Sequence, residues 1–557
     1  MKPQYLDQLE LERERGITIK MAPVRMSYAP EGESEEYILN LIDTPGHSDF
    51  SYEVSRALLA VEGAVLLVDA AKGIQAQTLA NYEFAKKAGL TIIGAVNKID
   101  LNPPNLEDTI LELAKLLDVD TESILRISGK TGAGVRELLD AIVEKIPSPL
   151  ARSGEHGKDK LQALIFDSRY DDHKGALAYV RVMSGQVVRG TETMLARDKT
   201  QIKVKEVGYF FPGLVSGEQL GFGEIGYVAT GIKDPDLLKI GDTIGDEALS
   251  GFKEPKPVVF VSFYPSEDGD YEDLKTALRR FKLNDPALTF EADFNEVLGR
   301  GFKCGFLGQL HFEVTAQRLQ KEYGLETVNS FPSVAYQVKH RGAWKLVHNP
   351  KDFPDDYEEV MQPMVRLEIL GMPEQLGSIL KLRESFSLSD IETKTLGARI
   401  VVAARMPLAD LVRDFDDRLK SVSGGYASFT YELIGFEKAD VRRLEILVAG
   451  EAVPGLLRIV NSKDIEFEGR KMVEKLKDLL PRQQFAQALQ AMANGRIIAR
   501  ETIPAMKKDV TGYLYGGDRT RKKKLWEKQK RGKERLKKMG RVTLSPEVFK
   551  ELLKKEK

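Results

Sequence analysis

The sequence predicts a multidomain α/β protein, and three observations support this fold class. The chain has 557 residues, whereas a single domain usually has about 100 to 200, so we expect three to five domains, each with its own core. In the first quarter, short apolar runs that end in polar loops alternate with segments of helical periodicity. After residue 160 the pattern changes to short alternating segments rich in glycine, and then to two similar successions of strands and helices.

Four apolar runs define the first domain, which we place at residues 1–150. They are Tyr37–Asp43, Gly63–Asp69, Leu90–Val96 and Ile124–Ile127. Strands that alternate with helices at this spacing form a parallel sheet, and ligands bind in the loops at the carboxyl ends of its strands. We therefore expect a ligand site at those loops.

Four further domains follow a linker that runs from Pro147 to Lys160. Residues 158–252 contain alternating segments such as Ala178–Met183 and many glycines, which is typical of a small antiparallel β-barrel. Residues 256–340 begin with a strand and contain helices near Tyr271–Phe281 and Leu310–Tyr323, which predicts an α+β domain. Residues 359–437 repeat this plan, with a second helix over Leu408–Lys420, and residues 438–557 form a mixed C-terminal domain.

Composition limits the function classes. The single cysteine, Cys304, excludes an internal disulfide and a cysteine-rich zinc site, and we expect it to be a small buried side chain. No run approaches the roughly 18 apolar residues of a membrane span, and the acidic N-terminus does not resemble a targeting peptide. A cytoplasmic location is therefore expected. Residues 519–541 carry thirteen Lys or Arg and two Glu, a net charge of +11 in a chain of net charge −2, which indicates a polyanionic partner.

Three short motifs follow predicted strands, in the order and spacing of a guanine-nucleotide pocket. In Asp43-x-x-Gly46 the carboxylate can hold Mg²⁺ through water, and the glycine lets a backbone amide approach a terminal phosphate. In Asn97-Lys98-x-Asp100 the Asp100 carboxylate can accept two hydrogen bonds from the guanine edge, while the Lys98 stem covers the base. Ser128-Gly129-Lys130 adds a backbone amide toward the guanine oxygen. The first and third motifs, taken alone, are often ordinary turns, whereas the second is a stronger signal. The three together favour the pocket.

The segment Arg15-Gly16-Ile17-Thr18-Ile19 resembles the first switch of the translational GTPases. The resemblance implies GTP and GDP as ligands, with Thr18 coordinating Mg²⁺ beside Asp43. His47, directly after Pro45-Gly46, is similar to the histidine with which this family orients the attacking water, so the resemblance assigns it the hydrolytic role.

Motifs farther along the chain resemble the elongation factor 4 (LepA) family. Gly308-Gln309-Leu310-His311-Phe312-Glu313 is similar to the signature of the third domain of elongation factor G, with His311 expected to be buried at a helix start. The segments 480–485 (LPRQQF) and 515–524 (YGGDRTRKKK) are similar to elongation factor 4 itself and disfavour the sister factors elongation factor G and BipA.

The resemblance covers essentially the whole chain and implies a definite architecture and activity. It implies a P-loop-type GTPase domain, a β-barrel, two ferredoxin-like α+β domains and a specific C-terminal domain. The implied activity is GTP hydrolysis on the ribosome, coupled to back-translocation or to the fidelity of protein synthesis. The implied partners are ribosomal RNA and transfer RNA, and the family also makes a peripheral contact on the cytoplasmic side of the membrane. We expect the protein to act as a monomer.

The basic stretch has an interpretation of its own. We expect it to neutralise RNA phosphates and to stack Trp526 on an exposed base, through the basic side chains Arg519, Arg521, Lys522, Lys523 and Lys524. A solvated charged helix is the alternative, and anionic lipid is a second polyanion that the charge alone does not distinguish from RNA.

One expected element does not occur in the sequence. A phosphate-binding loop has the pattern GxxxxGK[ST], and no segment matches it, because Ile124 stands where Gly129-Lys130-Thr131 would need its first glycine. The expectation is a first domain truncated before its first switch. The strands Tyr37–Asp43 and Leu90–Val96 are then expected to lose the strand between them. The alternative function is a ribosome- or RNA-binding fragment that does not turn over nucleotide.

Overall fold

The computed structural model describes most of the chain. The described ranges are 6–7, 9–149, 160–171, 173–211, 213–232, 237–249, 256–266, 270–285, 287–506, 519–539 and 544–553. Most of the predicted linker, the motif residues Tyr515–Asp518 and the basic residue Arg541 lie outside these ranges.

The first domain contains two separate sheets. Its strands are β1 (Ala22–Tyr28), β2 (Tyr37–Asp43), β3 (Gly63–Asp69), β4 (Thr91–Asn97) and β5 (Leu125–Arg126). Its helices are α1 (Glu10–Arg15), α2 (Ser51–Leu59), α3 (Ala76–Lys87), α4 (Leu106–Leu117) and α5 (Val135–Lys145). β1 and β2 form an antiparallel hairpin, whereas β3, β4 and β5 form a parallel sheet in that order. Helix α4 has the apolar spacing of an amphipathic helix, because Leu113 and Ala114 lie one turn after Ile110 and all three are buried.

The predicted position of the interrupted pairing was wrong. β4 has neighbours on both sides, because it pairs with β3 through seven residue pairs and with β5 on its other edge. The interruption lies between β2 and β3, which do not pair with each other. Leu41 on β2 and Leu67 on β3 are accordingly 42% and 50% exposed. Residues Ile93–Val96 of β4 are buried without interruption, as in a central parallel strand.

The second domain is the predicted antiparallel barrel. Its strands are β6 (Gln162–Asp171), β7 (Gly175–Ser184), β8 (Val187–Val188), β9 (Glu192–Met194), β10 (Gln201–Lys203), β11 (Glu206–Phe211), β12 (Gly213–Gly217), β13 (Gln219–Leu220), β14 (Ile225–Ala229) and β15 (Thr243–Gly245). Six of them form a sheet in the order β12-β11-β14-β7-β6-β15, and β8–β13 and β9–β10 form small hairpin-like pairs. Alternate residues such as Val180 and Val182 are fully buried in the domain core.

The third domain is an α+β sandwich. Its strands are β16 (Val259–Pro265), β17 (Thr289–Asn295), β18 (Gly299–Phe306), β19 (Thr327–Asn329) and β20 (Ser333–Val334), and its helices are α6 (Tyr271–Asn284) and α7 (Gln309–Tyr323). Both helices occur where the sequence predicted them. Cys304 on β18 is fully buried, as expected.

The fourth domain repeats the α+β plan. Its strands are β21 (Tyr336–His340), β22 (Ala343–Val347), β23 (Glu359–Gly371), β24 (Ser389–Leu396), β25 (Arg399–Pro407) and β26 (Ser428–Lys438), and its helices are α8 (Leu376–Lys381) and α9 (Asp416–Ser423). β21 pairs with β23, so residues 336–340 belong to this sheet. The helix expected over Leu408–Lys420 is present as consecutive helical segments from Leu408 to Ser423, with a kink at Asp414, whose backbone angles are non-helical (φ −164°).

The C-terminal domain packs one long helix on an antiparallel sheet. Its strands are β27 (Val441–Val448), β28 (Glu451–Ala452), β29 (Arg458–Asn461), β30 (Gln487–Ala493) and β31 (Arg496–Ile503), and its helices are α10 (Ile465–Leu479), α11 (Arg519–Met539) and α12 (Pro546–Leu553). α10 buries Met472, Val473 and Leu476 against the sheet, and Phe549 of α12 joins the same core. Within the described ranges, none of these helices combines the length and apolar character that crossing a bilayer requires.

Candidate functional site

Two loops at the carboxyl ends of β4 and β5 are tied together by side-chain hydrogen bonds. The Asn97 side-chain oxygen accepts from the backbone N–H of Lys98 at 2.8 Å and of Gly129 at 3.0 Å. The Ser128 hydroxyl donates to the Asp100 carboxylate at 2.7 Å and accepts from the backbone of Thr131 at 3.1 Å. The structure therefore brings together the two motifs that the sequence assigned to one base-binding pocket.

The geometry leaves the recognition groups of these loops open to a ligand. Asp100, Gly129 and Lys130 are exposed, whereas Ser128 beneath them is fully buried. A carboxylate has about four acceptor positions, so the bond from Ser128 orients Asp100 and leaves capacity for a donor pair such as guanine presents. The loops therefore present an oriented carboxylate that remains open to a donor pair.

Lys98 is held in place by a residue that the sequence interpretation missed. Its Nζ lies 2.8 Å from Oδ2 of Asp69, which ends β3 directly opposite Asn97 in the parallel register. Lys98 itself adopts a left-handed backbone (φ 68°), which turns its stem back across the strand ends. Partial burial alone would raise the pKa of Asp69, but hydrogen bonds from Lys98 and from the Ala71 and Lys72 backbone hold that pKa below its ordinary value. The missed signal was the acidic residue at the end of the strand that neighbours Asn97.

The two predicted magnesium residues, Thr18 and Asp43, both interact with Asp7. Thr18 donates its hydroxyl to Asp7 at 3.2 Å. Burial, together with the charges of Asp7 and Glu12, raises the pKa of Asp43 to about 6. In the described part of the chain no group of three or more His, Cys, Asp or Glu is arranged to hold a metal ion. Mg²⁺ bound with a nucleotide usually takes only one or two protein ligands and completes its shell with water and phosphate, so Thr18 and Asp43 fit that mode.

His47 lies just after β2, beside a buried aromatic ring. Its Nδ1 accepts a hydrogen bond from the backbone N–H of Asp49 at 3.2 Å, and its ring contacts Phe50 edge-on at 6.4 Å between centroids. Since Nδ1 is the acceptor, the proton of the neutral ring resides on Nε2, which leaves that atom as a donor. The side chain is 37% exposed, and an added Cβ at neighbouring Gly46 would meet nothing within 4 Å. The loop is therefore open toward solvent.

The predicted base-binding residues and the predicted hydrolytic residues follow strands of two different sheets. Asp43 and His47 follow β2, whereas Asn97 and Asp100 follow β4, and the interruption between β2 and β3 separates them. The other histidine singled out by sequence, His311, is 4% exposed at the start of α7 and lies 2.7 Å from Asp285, so its expected structural position is confirmed.

The predicted RNA-binding residues begin α11. Arg519, Arg521, Lys523 and Lys524 are exposed, and Lys522 is half-buried. Trp526, one turn farther, is 56% exposed. The helix thus presents cations and one aromatic ring on its surface, which is compatible with RNA and with a solvated helix alike.

Family models match four ranges of the chain, which together leave the second domain unmatched. Residues 1–148 match the elongation factor Tu GTP binding domain, residues 254–330 match domain III of elongation factor G, and residues 359–447 match the elongation factor G C-terminus. A GTP-binding domain followed by these two modules is the architecture of a translational GTPase, and the predicted fold class is thereby confirmed. Residues 448–554 match the C-terminus of the GTP-binding protein LepA.

Full-length relatives specify the family. The chain is 46% identical to elongation factor 4 of Syntrophomonas wolfei over 99% of this chain and 92% of the relative, and 45% identical to elongation factor 4 of Thermotoga maritima over 100% and 90%. It is also 46% identical to elongation factor 4 of Rubrobacter xylanophilus, over 98% of this chain and 91% of the relative. The chain belongs to the elongation factor 4 family, as its C-terminal motifs indicated. A crystal structure of a Thermus thermophilus protein shares the fold, with a TM-score of 0.53 at 18% identity over 78% of this chain and 91% of that one.

Proposed function

We propose that this protein acts on the ribosome as a GTP hydrolase, and that it couples hydrolysis to back-translocation or to the fidelity of protein synthesis. The observation that carries the proposal is the interlocked pair of loops in which Asn97 binds Gly129 and Asp100 binds Ser128. Adenine does not present the two adjacent donors that a carboxylate at Asp100 recognises, so these loops favour guanine. Family membership supplies the context, since the protein's relatives are elongation factors.

The guanine-binding residues have distinct parts in this proposal. Asp100 selects the base, Lys98 covers it, and Asn97 with Ser128 fixes the loop geometry. The backbone N–H of Gly129, which the sequence assigned to the guanine oxygen, donates to Asn97 and so fixes the loop beside the base. Lys130 lies exposed at the rim. The salt bridge from Asp69 restricts the Lys98 stem before any ligand arrives, which lowers the entropy lost on binding.

At the other half of the site, Thr18 and Asp43 hold Mg²⁺ and His47 orients water. Bound GTP would supply the phosphoanhydride bond that water attacks. Burial and the neighbouring charges of Asp7 and Glu12 raise the pKa of Asp43. A divalent cation at this position would compensate the clustered negative charge. Gly46 allows its backbone amide to approach a terminal phosphate, and the Nε2 proton of His47 is available to a water molecule on the open side of the loop.

Titration of labelled GDP onto this chain tests the proposal. Saturable binding with a micromolar or tighter Kd, displaced by excess GDP and not by ADP, is expected. The second candidate is a ribosome- or RNA-binding protein without nucleotide turnover, and it is favoured by the lack of a GxxxxGK[ST] match anywhere in the sequence. Ribosome binding without saturable GDP binding would decide for this second function.

We also propose that α11 contacts ribosomal or transfer RNA. Its first turns carry Lys522, Lys523 and Lys524, and each phosphate contact that is lost should reduce the salt dependence of binding. Changing the three lysines to glutamine should weaken binding to ribosomes several-fold and flatten its dependence on salt. The matched control changes three exposed lysines of the first domain to glutamine, namely Lys87, Lys115 and Lys145.

The outcome of the lysine experiment separates the partners. An unchanged salt slope would mean that this part of α11 is only a solvated helix. Vesicles with anionic lipid serve as the second arm, because a peripheral contact with the cytoplasmic side of the membrane would use the same charges. Loss of vesicle binding without loss of ribosome binding would assign α11 to lipid.

We place the protein in the cytoplasm as a monomer, and sedimentation of the purified chain tests that state.

A further inference from the structure

The carboxylate of Asp49, two residues after His47, is almost fully buried at a junction of three domains. It is 5% exposed. Its Oδ2 accepts from the backbone N–H of Leu310 in the third domain at 2.6 Å, and its Oδ1 accepts from the Tyr431 hydroxyl in the fourth domain at 3.1 Å. Both carboxylate oxygens are therefore engaged by other domains.

Asp49 provides the N-terminal cap that helix α7 lacks in its own sequence. The residue at the cap position is Gly308, which has no side chain to accept a hydrogen bond from the first turn. Leu310 is the second residue of α7, and its N–H is one of the donors that a helix leaves unpaired at its start. A carboxylate there also lies at the positive end of the helix dipole. The first domain thus supplies a capping group to a helix about 260 residues farther along the chain.

The fit leaves room for glycine alone at position 308. A Cβ added to Gly308 would lie 2.4 Å from Cγ of Asp49 and 2.5 and 2.6 Å from its carboxylate oxygens. Real Cβ atoms essentially never approach heavy atoms so closely, so a larger residue would push the carboxylate away. Helix α7 and Asp49 are matched in shape as well as in charge.

The same short segment holds His47. The backbone N–H of Asp49 donates to His47 Nδ1, and the backbone N–H of Phe50 donates to the carbonyl of His47 at 3.0 Å. Phe50 is 6% exposed and packs in a small apolar cluster with Leu11 and Ile19 from the segment around Thr18 and with Val314 of α7. Movement of Asp49 therefore moves the donor that orients the His47 ring.

We infer that Asp49 is a positioning residue that makes the orientation of His47 depend on docking of the third and fourth domains. The carboxylate joins α7 and Tyr431 on one side, and its backbone N–H orients the imidazole on the other. When the two domains dock, the His47 loop is fixed with Nδ1 as an acceptor. When they separate, the loop loses both anchoring bonds. Docking of the two domains would thus control whether His47 is oriented to act on water. This functional reading rests on the proposed role of His47.

Histidine NMR tests the coupling without any nucleotide. The chain is labelled at histidine Cε1, and the signal of His47 is assigned by its disappearance in His47→Gln. The two test variants act from other domains: Tyr431→Phe removes one hydroxyl bond, and Gly308→Ala displaces the carboxylate. Each should shift or broaden the His47 signal, because its hydrogen-bond donor and the neighbouring Phe50 ring move. Exchange of the Leu310 amide should become about tenfold faster in Gly308→Ala, the size expected for loss of a hydrogen bond to a charged group.

Matched controls separate coupling from general destabilisation. Tyr264→Phe removes a buried tyrosine bond to another aspartate, Asp293 at 2.6 Å, inside the third domain. Gly377→Ala adds a methyl group where nothing lies within 4 Å. Both controls should leave the His47 signal unchanged.

Two results would overturn the inference. One is an unchanged His47 signal in both Tyr431→Phe and Gly308→Ala, and the other is an equal change in the controls. Should Gly308→Ala not fold, Tyr431→Phe with its tyrosine control decides alone. If the chain binds no GDP, the proposed function fails while this measurement still reports on the coupling.

Discussion

Replacing Arg56 with methionine tests how the first domain is held to the barrel. Arg56 on α2 and Asp167 on β6 are both fully buried, with Nη1 of the arginine 2.9 Å from Oδ1 of the aspartate. Glu53, one turn earlier on α2, binds the other end of the guanidinium. Lys20 approaches Asp167 at 3.5 Å but donates its hydrogen bonds to the carbonyls of Ser168 and Asn284.

The expected loss of stability is large because the substitution leaves a buried charge without its main partner. Removing one member of a buried ion pair typically costs about 3 to 5 kcal/mol, whereas replacing both members with apolar residues of similar volume is often nearly neutral. Arg56→Met should therefore destabilise the first domain and barrel by about 3 to 5 kcal/mol. For a unit of this size that lowers the melting temperature by about 10 °C. Arg56→Met/Asp167→Leu should recover most of the loss.

Differential scanning calorimetry at neutral pH measures the effect, with Arg126→Met as the control. Arg126 and its partner Glu107 are 51% and 70% exposed, so this pair should contribute only about 0 to 1 kcal/mol. A double variant that is as unstable as Arg56→Met would refute the reasoning, because the loss would then not come from an unpaired Asp167. A control that loses as much as Arg56→Met would refute it equally.

Three further predictions concern the base, the water and the effect of acid. Asp100→Asn should move nucleotide preference from guanine toward xanthine, measured by competition between GDP and XDP, and unchanged preference would contradict the pocket assignment. His47→Ala should lower ribosome-stimulated GTP hydrolysis about a hundredfold while GTP affinity stays within about twofold, as for loss of a group that acts on the water; a large loss of affinity would contradict that role. Burial alone would raise the pKa of Asp285, but the His311 charge and hydrogen bond lower it to about 2 from 3.8. Because the pKa of Asp285 is lower in the folded state than in the unfolded state, the ionised carboxylate adds about 1 to 2 kcal/mol to the free energy of unfolding. This stabilisation is complete above about pH 4 and is lost as the pH falls toward about 2. Urea unfolding should show this loss in the unchanged chain and a smaller one in His311→Asn; equal losses would exclude the pair as the cause.

Much of the base-binding half could be predicted from sequence because its information is local. Strand Gly63–Asp69 has the predicted bounds, and the loops after β4 and β5 contain the residues that the motifs named. Local patterns do not state which strands are neighbours. The pairing of Asp69 with Lys98 and the central position of β4 both depend on strand order, and both were missed for that reason.

Contacts between domains were out of reach of the sequence for a different physical reason. The bond between Asp49 and Leu310 joins residues 261 positions apart, and nothing in either segment marks the other as its partner. Gly308 is the one residue of this contact whose position could have indicated it. A glycine at the cap position of a helix leaves a backbone N–H of the first turn to be paired by an acceptor elsewhere. Such a helix start predicts an external acceptor but not its identity.

The hydrolytic half of the site is positioned by neighbouring domains more than by its own sheet. Among the described strands β2 pairs with β1 alone, and the hairpin they form is held by Arg25, which binds Glu224 at 2.9 Å and lies over the Tyr209 ring of the barrel. The loop after β2 is held by α7 and Tyr431 through Asp49. The guanine loops, by contrast, follow strands that pair with one another within one parallel sheet. The base-binding half also contacts the fourth domain, since Arg399 donates to the carbonyl of Lys72 at 2.7 Å. Changes in domain docking should therefore displace Asp43 and His47 more than Asn97 and Asp100, so that control by a bound partner would act more on hydrolysis than on recognition of the base.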